Sequence, residues 1–504
     1  MSATLLTRRL FLRLLGLVYL IAFASLAVQI RGLVGEHGIL PAARFLDWVH
    51  SSYGAGAYHL LPTLFWLDAS DTALLIGAWT GAALGLLLML GVRPRLLLIL
   101  LWLLYLSLSV VGQDFLSFQW DALLLEAGLL AVLWAPARWP RRVSPPPILL
   151  VPVGPADSDG AGPVFDSARW LLVFLLFKLM FLSGVTKILS GDPTWQHGTA
   201  LDFHFETQPL PPWTAWYAHH WPVGIHHALT WGTLAVEAGA PWFLLLPTRF
   251  RGPRRVALLA IVLLQVGIAA TGNYGFFNLL TLVLCLPALS EAPLVWEDRD
   301  SDGLPRRRPW LMIVAPLLLG LSMLSLVREV AFTVPDGRGA RWWPAWGDAV
   351  MGWVEPFRSV NGYGLFRVMT TKRPELVLEG SRDSTKWEAY GFRYKPGDVS
   401  RRPGFVAPFQ PRLDWQLWFA ALGPGSSLGW LTSLAEGLRA GTPEVVALMG
   451  ANPFAGAPPK YVRAALYDYR FSTPEERSRT GAWWVRSLEG TFDLVPAPGG
   501  PPAP

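Results

Sequence analysis

The stretch ARWLLVFLLFKLMFLSGVTKIL, residues 168–189, is an apolar block whose interior holds two lysines, Lys178 and Lys187. A helix needs about 20 apolar residues to cross the roughly 30 Å of hydrocarbon in a bilayer, and it then satisfies its own backbone hydrogen bonds. Blocks of similar character recur along the 504-residue chain, which is 52% hydrophobic and only 15% charged. The sequence therefore predicts a polytopic α-helical membrane protein.

Nine blocks of this kind are candidate membrane spans. They lie at about 11–30, 72–90, 96–111, 118–135, 168–189, 228–247, 255–271, 274–290 and 310–332. We therefore expect a multi-span membrane domain over residues 1–334, with an ordered loop at about 190–227 between the fifth and sixth spans.

Clusters of basic residues alternate between successive spans, and such clusters mark the loops that stay in the cytoplasm. They comprise Arg8 and Arg9, Arg93 and Arg95, Arg138 to Arg142, Arg249 to Arg255, and Arg306 to Arg308. No lysine or arginine lies between Lys187 and Arg249. The N-terminus is therefore predicted to be cytoplasmic, and the 190–227 loop and the C-terminal region periplasmic. The arginine-rich composition is typical of a GC-rich bacterial genome, which predicts the bacterial inner membrane. The net charge is +6, but membrane orientation explains the basic clusters, so nucleic-acid binding is not indicated.

The composition changes from about Pro335 onward, where charged residues and turns replace the long apolar blocks. Residues 335–490 are predicted to form an extracytoplasmic, β-rich α+β domain. The alternation of Tyr390, Phe392 and Tyr394 and the pattern YVRAALYDYRF from Tyr461 predict half-buried strands. Helices are expected from about Asp414 and in SLGWLTSLAEGLRAG. The tail at 491–504 and the connection near 143–163 are expected to be disordered because they are rich in Pro and Gly.

Five sequence blocks together carry a family pattern. They are SGVTKILSGDPTWQHGTALDFHFETQPLPPWTAWYAHHWP, TGNYGFFNLLTLVLCL, NGYGLFRVMTTKRPELVLEGS, FVAPFQPRLDWQLWFAAL and PPKYVRAALYDYRF. The chain thereby resembles the lipase maturation factor family, whose animal members sit in the endoplasmic reticulum membrane and assist the folding of secreted lipases. The resemblance implies a membrane-anchored folding or maturation factor for secreted client proteins such as lipases. No cofactor is expected, and thiol chemistry is not expected because Cys285 is the single cysteine.

The segment WQHGTALDFHFETQPLPPW, Trp195–Trp213, concentrates groups that bind metals or transfer protons. Asp202, His204 and Glu206 alternate, so an extended backbone would point all three to one side. Six of the nine histidines fall within residues 197–227. However, no ligand spacing such as HExxH occurs, so the sequence favours a structural network over a metal site, and we expect no bound transition metal.

Lysines within a span are costly, so they mark either a functional site or a buried ion pair. Lys178 lies near mid-membrane, and its candidate partners are Asp121, Glu126 and Glu237. Lys187 is nine residues further along, hence on the opposite helix face, and is expected to snorkel to the outer surface. Lys178 is interpreted either as half of a structural pair or as a base with a lowered pKa.

Two functions remain open from the sequence. The first is a folding factor whose contacts with its client or its own membrane domain would come from Trp195, Trp213, Trp216, Arg412, Asp414 and Trp418. The alternative is a membrane enzyme acting on a lipid or quinone-like substrate. Its acid or base would be Lys178, Asp202, His204 or Glu206, and its architecture would be like that of the vitamin K-dependent carboxylases. No GxSxG elbow, P-loop or Rossmann fingerprint occurs in a credible setting, so the enzyme is the less favoured hypothesis.

Overall fold

The structure, a computed structural model, describes residues 3–136, 166–247, 249–289, 309–423 and 428–495. The N-terminal part is helical. Its helices are α1 (Ala3–Ala27), α2 (Ile30–Val34), α3 (Ala42–Tyr53), α4 (Ala57–Leu60), α5 (Asp71–Leu90), α6 (Pro94–Val111), α7 (Gln119–Trp134), α8 (Asp166–Leu189), α9 (Pro193–Gln196), α10 (Ala200–Thr207), α11 (Trp213–His219), α12 (Val223–Leu234), α13 (Ala240–Leu244), α14 (Arg251–Thr271), α15 (Phe277–Leu289) and α16 (Pro309–Thr333).

Six helices among the described residues are long and apolar enough to cross a membrane, which confirms the predicted membrane protein. They are α1, α5, α6, α8, α14 and α16. The other three expected spans are also helical but shorter or interrupted. The helix α7 has 16 residues, α15 has 13, and α12 continues into α13 through a π-helical turn at Ala235–Gly239. The count of nine spans stays a prediction.

Small residues allow α1 and α5 to pack closely. A Cβ atom added at Gly16 would lie 2.5 Å from the backbone nitrogen of Met89, and one added at Gly85 would lie 2.7 Å from that of Leu20. Membrane helices associate through such close backbone contact, because lipid supplies no hydrophobic drive between them. At the centre of the bundle, α8 packs against α7, α15 and α16.

The ends of the helices form two opposite faces. At one face, the Arg95 guanidinium donates to the carbonyl oxygen of Ala135, and that of Arg254 donates to the carbonyl oxygen of Ala288. Arg95 thus contacts the chain just after the C-terminal end of α7, and Arg254 contacts the C-terminal end of α15. Two of the basic clusters therefore lie at this face. At the other face, Gln208 of the 190–227 loop donates to the carbonyl oxygen of Thr271. The loop and this basic face are therefore on opposite sides of the bundle.

The C-terminal region is an α+β fold, as predicted. A four-stranded antiparallel sheet has the order β2-β1-β3-β4, and its strands are β1 (Arg373–Ser381), β2 (Glu388–Ala389), β3 (Tyr461–Phe471) and β4 (Trp484–Asp493). The helices are α17 (Ala345–Val354), α18 (Arg412–Leu422), α19 (Leu428–Ala440), α20 (Pro443–Val446) and α21 (Pro474–Thr480). Three expected elements are confirmed as β3, α18 and α19.

One predicted strand is wrong. Residues 390–394 have no regular strand, and only Gly391 makes an isolated bridge, to Ala451. Tyr390 and Phe392 are buried nonetheless. The alternation of apolar residues therefore indicated which side chains are buried, but not that they pair in a sheet. The strand β4 ends at Asp493, beyond the expected boundary at 490. The predicted disorder near 143–163 and beyond residue 495 falls outside the described residues.

Candidate functional site

Lys178 belongs to a closed polar network within the helix bundle. Its Nζ donates to Glu126 Oε1 at 2.6 Å and to Ser322 Oγ at 2.8 Å. The second oxygen of Glu126 accepts from the hydroxyl of Tyr363 at 2.8 Å and from the backbone N–H of Asn361 at 3.2 Å. Glu126 was one of the three partners expected from the sequence, so the structural pair is present. Because Lys178 is fully buried and both carboxylate oxygens are engaged, the network fastens α7, α8, α16 and the 359–364 segment together.

Lys187 corrects a prediction, because it does not snorkel to the surface. Its side chain is 4% exposed, and Nζ donates to Glu237 Oε2 at 2.6 Å. The ammonium group also lies 5.2 Å from the ring centre of Trp195. Glu237 lies in the π-helical turn between α12 and α13. Such π-helical turns are frequent at functional sites. The two lysines of α8 therefore point to opposite faces, as expected, and pair with different helices.

Asp202, His204 and Glu206 do not converge, contrary to the extended arrangement predicted from their alternation. They lie in α10, where residues four apart share a face and the residue between them points away. Asp202 faces His226 at 3.1 Å, whereas Glu206 accepts from the backbone N–H of Phe471 at 2.6 Å. His204 lies on the side that contacts Tyr274 and Phe366.

The histidine-rich loop is a set of separate contacts. Burial lowers the pKa of His219 to about 4, so this imidazole is uncharged at neutral pH. Its 3.6 Å approach to Glu206, whose own pKa burial raises, is therefore a weak polar contact and not a salt bridge. Within the part of the chain that the structure describes, no group of three or more His, Cys, Asp or Glu side chains is arranged to hold a metal ion.

Three of the predicted contact tryptophans hold the loop and the C-terminal region together. The indole N–H groups donate to backbone carbonyl oxygens at 2.9 Å: Trp195 to Phe366, Trp216 to Ser472, and Trp418 to Thr207. All three side chains are buried. Trp213 is half-buried and lies under the guanidinium of Arg402. The indole N–H groups of the first three already have acceptors within the chain, so the role of these side chains in client binding stays a prediction.

Arg412 and Asp414, the two polar residues of α18 predicted to be of interest, both make hydrogen bonds within the protein. Arg412 makes a two-pronged contact with Asp121 of α7, at 2.7 and 2.8 Å. Asp414 accepts from the backbone N–H groups of Tyr394 and Lys395, at 3.0 and 2.9 Å. Both are buried, so Arg412 joins the C-terminal region to the membrane helices and Asp414 fixes a loop within that region.

Sequence reasoning missed a second cationic anchor, Arg373 at the start of β1. This buried guanidinium donates to the carbonyl oxygens of Glu206, Gln208 and Pro209 and to Glu375 Oε1. It therefore holds the end of α10 against the sheet. The available signal was a charged residue within the family-like block NGYGLFRVMTTKRPELVLEGS.

Two cavities lie beside these anchors. The seam cavity, of about 700 Å³, lies between the membrane helices and α18, and its walls include Phe118, Trp120, Trp415, Trp418, Phe419 and Trp430. The membrane cavity, of about 630 Å³, lies among α8, α12, α14 and α15, and its walls include Lys187, His204, Glu237, Leu263, Gly267 and Ile268. Phe366 lines both cavities and has a φ of 53°, a backbone conformation that is rare for a bulky residue.

This geometry gives the enzyme hypothesis no support within the described residues. Lys178 lines neither cavity, and its partner Glu126 is fully engaged. Of the loop residues named as acid or base, His204 alone lines one of the two cavities.

Two family models match the chain. Residues 6–296 match the lipase maturation factor transmembrane domain, and residues 359–494 match the lipase maturation factor C-terminal domain. The chain is 37% identical to lipase maturation factor 2 of Mus musculus and of Homo sapiens, in each case over 98% of this chain and 83% of the relative. It is 32% identical to lipase maturation factor 1 of Homo sapiens, over 97% of this chain and 87% of the relative. No solved structure matches it.

Proposed function

This chain belongs to the lipase maturation factor family, and from that premise we propose that it is a membrane-embedded maturation factor that binds a secreted client of the lipase type. The observation that carries the proposal is the seam cavity. Its aromatic walls continue into an exposed apolar rim formed by Phe419, Leu422 and Val368, which are 43%, 41% and 61% exposed. Apolar surface of this kind, beside a membrane, suits an unfolded apolar segment of a client.

The walls of the seam cavity are preformed. Arg412 and Asp121 clamp α18 to α7, and Arg373 clamps the sheet to the end of α10. A binding site held by such contacts loses little conformational freedom when it is occupied, which favours binding. The proposed client site is therefore a fixed groove and does not depend on ordering a loop.

The cavity also offers hydrogen-bond donors to a peptide. Trp120 and Trp415 line it, and neither indole N–H has an acceptor among the described residues. A buried donor without a partner is costly, and a backbone carbonyl of an extended client segment would supply that partner. The chemistry of the groove therefore fits an extended apolar peptide.

Maturation by this chain does not use a dithiol couple. Cys285 is the single cysteine, and it is buried in α15. The chain alone cannot form a dithiol couple, so it acts by holding its client and not by exchanging disulfides.

The proposed location is the bacterial inner membrane, with the client side facing the periplasm. The 190–227 loop contacts the C-terminal region through the bonds of Trp216 and Trp418, so both lie on one side. The basic residues Arg95 and Arg254 lie at the other ends of the helices, and basic loops face the cytoplasm.

The test is an in-cell maturation assay with a co-expressed secreted lipase. Lipase activity per amount of secreted lipase is measured and normalised to the amount of inserted maturation factor. We expect the rim variant Phe419→Asp with Leu422→Asp to lower this ratio at least about fivefold, because two charges at the mouth oppose entry of an apolar segment. Leu488→Asp is the matched control, since Leu488 is 57% exposed on β4 and lines neither cavity. An unchanged ratio with a well-inserted rim variant would overturn the proposal.

A further inference from the structure

The membrane cavity is built like a ligand site. Its volume of about 630 Å³ falls within the roughly 300–1,000 Å³ of small-molecule sites. Most of its wall is apolar, including Leu263, Leu264 and Ile268 of α14. Leu229 and Leu263 line it and are also 41% and 61% exposed, so it opens between α12 and α14 toward the surface that faces lipid. A ligand would enter from the bilayer.

The polar groups of the wall leave it without net charge. Lys187 and Glu237 both line the cavity and neutralise each other at 2.6 Å. Burial, followed by the nearby charge of Lys187, lowers the pKa of His204 to about 4, so this imidazole is neutral. A charged ligand would therefore bring an uncompensated charge into a low-dielectric site, at a high cost. The wall selects for an uncharged molecule.

The hydrogen-bond arrangement around His204 fixes its tautomer. The amide nitrogen of Gln208 donates to the carbonyl oxygens of Phe205 and Thr271, so its Oε1 faces the hydroxyl of Tyr274 at 3.0 Å. Tyr274 has one proton, and it is used in that bond. The 3.1 Å contact between Tyr274 and His204 Nε2 therefore requires the imidazole to donate.

With its proton on Nε2, His204 keeps a lone pair on Nδ1. That atom is buried and has no partner among the residues that the structure describes. A buried acceptor without a donor is unfavourable, and a ligand hydroxyl would satisfy it. His204 lies at the end of the cavity that α10 closes, whereas the apolar wall of α14 runs beside it.

We propose that the membrane cavity binds an uncharged amphiphile, with one apolar chain along α14 and a hydroxyl group donating to His204. This site is separate from the seam cavity, and its test does not depend on a client. Phe366 lies between the two cavities and would be the wall against which the head of the ligand rests.

Two glycines offer a way to fill the cavity without disturbing the helices. Gly232 of α12 and Gly267 of α14 line it, and a Cβ atom added at either position would meet no heavy atom within 4 Å. Gly267→Leu therefore adds a side chain at the cavity wall, and its Cβ atom meets no heavy atom. Gly320→Leu is the matched control, because Gly320 lies in another membrane helix, is equally open and lines neither cavity.

The experiment is photo-crosslinking of the purified full-length protein in detergent. Three probes carry the same diazirine-labelled alkyl chain and differ in the head: a glycerol ether, a carboxylate and a trimethylammonium. We expect saturable labelling by the glycerol ether at α8, α12 or α14, at least about fivefold above the two charged probes. Gly267→Leu should lower that labelling by a similar factor, and Gly320→Leu should leave it unchanged.

The role of His204 is tested with a second pair of probes. These are the glycerol ether and the same molecule with both hydroxyls capped as methyl ethers. The wild-type protein should prefer the free hydroxyls, and His204→Leu should abolish the preference without preventing labelling. Equal labelling by all three heads, or unchanged labelling in Gly267→Leu, would overturn the site. An unchanged hydroxyl preference in His204→Leu would overturn the assigned contact.

Discussion

Arg412 and Asp121 form a buried two-pronged ion pair across the boundary between the C-terminal region and the membrane helices. The guanidinium nitrogens lie 2.7 and 2.8 Å from the two carboxylate oxygens, and Asp121 also accepts from the hydroxyl of Tyr105. Arg412 is the first residue of α18, and Asp121 lies in the first turn of α7. This pair fixes the position of α18, and hence one wall of the seam cavity, relative to the bilayer.

Removing one partner of this pair should strongly destabilise the fold. Arg412→Leu leaves the Asp121 carboxylate buried without its cation, so we expect a loss of about 3–5 kcal/mol in the free energy of unfolding. The double variant Arg412→Leu with Asp121→Leu should recover a substantial part of that loss. Thermal unfolding in detergent, followed by tryptophan fluorescence, supplies the double-mutant cycle. Strictly additive losses would show that the pair is not coupled.

Lys178→Met tests the network within the bundle. The substitution leaves Glu126 charged and, among the described residues, held only by Tyr363, Asn361 and Ser322, so stability should fall by about 3–5 kcal/mol. Adding Glu126→Gln should restore much of it, because the buried charge is then absent. Lipase maturation per inserted molecule should barely change in either variant. A stable, well-inserted Lys178→Met protein that cannot mature a lipase would instead favour a catalytic lysine.

Gly16→Leu tests the contact between α1 and α5. The new side chain would press on the backbone of Met89 and Gly85, which cannot move aside as a flexible side chain can. We expect a loss of about 3 kcal/mol, the upper end of typical overpacking costs, and a fall in the amount of inserted protein. Gly320→Leu, in open surroundings, is the control. Equal abundance and equal thermal stability of the two variants would contradict the close packing.

Acid should weaken the fold through two histidines of the loop. Burial lowers the pKa values of His204 and His219 from 6.5 to about 4, so the unfolded chain binds protons before the folded chain does. Their contribution to stability is therefore complete above pH 6.5 and is lost as the pH falls toward 4. Glu206 acts in the opposite sense, since its raised pKa stabilises the fold at low pH. The unfolding temperature measured between pH 7 and 4 should fall less steeply in His219→Gln. If the unfolding temperature falls equally steeply in wild type and His219→Gln, His219 does not contribute to the acid sensitivity.

Much of the membrane fold could be predicted from the sequence because the thickness of the bilayer sets the length of an apolar helix that spans it. The run around Lys178 had to be a helix, and Glu126 was one of few carboxylates that could reach mid-membrane. The family resemblance is confirmed by the relatives that match most of the chain. These features depend on local composition, which the sequence displays directly.

The loop could not be predicted in the same way. The alternation of Asp202, His204 and Glu206 is too short to distinguish a strand from two turns of helix. The helical conformation of this segment depends on contacts from distant parts of the chain. Arg373 and Phe471, for example, hold the end of α10.

The orientation in the membrane can be tested with single cysteines, because Cys285→Ser removes the single native thiol. In that background, Ser487→Cys places an exposed thiol on β4, and Val92→Cys places one between α5 and α6, where Val92 is 44% exposed. A membrane-impermeant maleimide added to intact spheroplasts should label Ser487→Cys and spare Val92→Cys. After lysis both should be labelled. Alternating basic loops predict this outcome, since Arg93 and Arg95 flank the turn that should stay in the cytoplasm. Labelling of Val92→Cys alone in intact spheroplasts would invert the proposed topology and place the seam cavity in the cytoplasm, where a secreted client could not reach it.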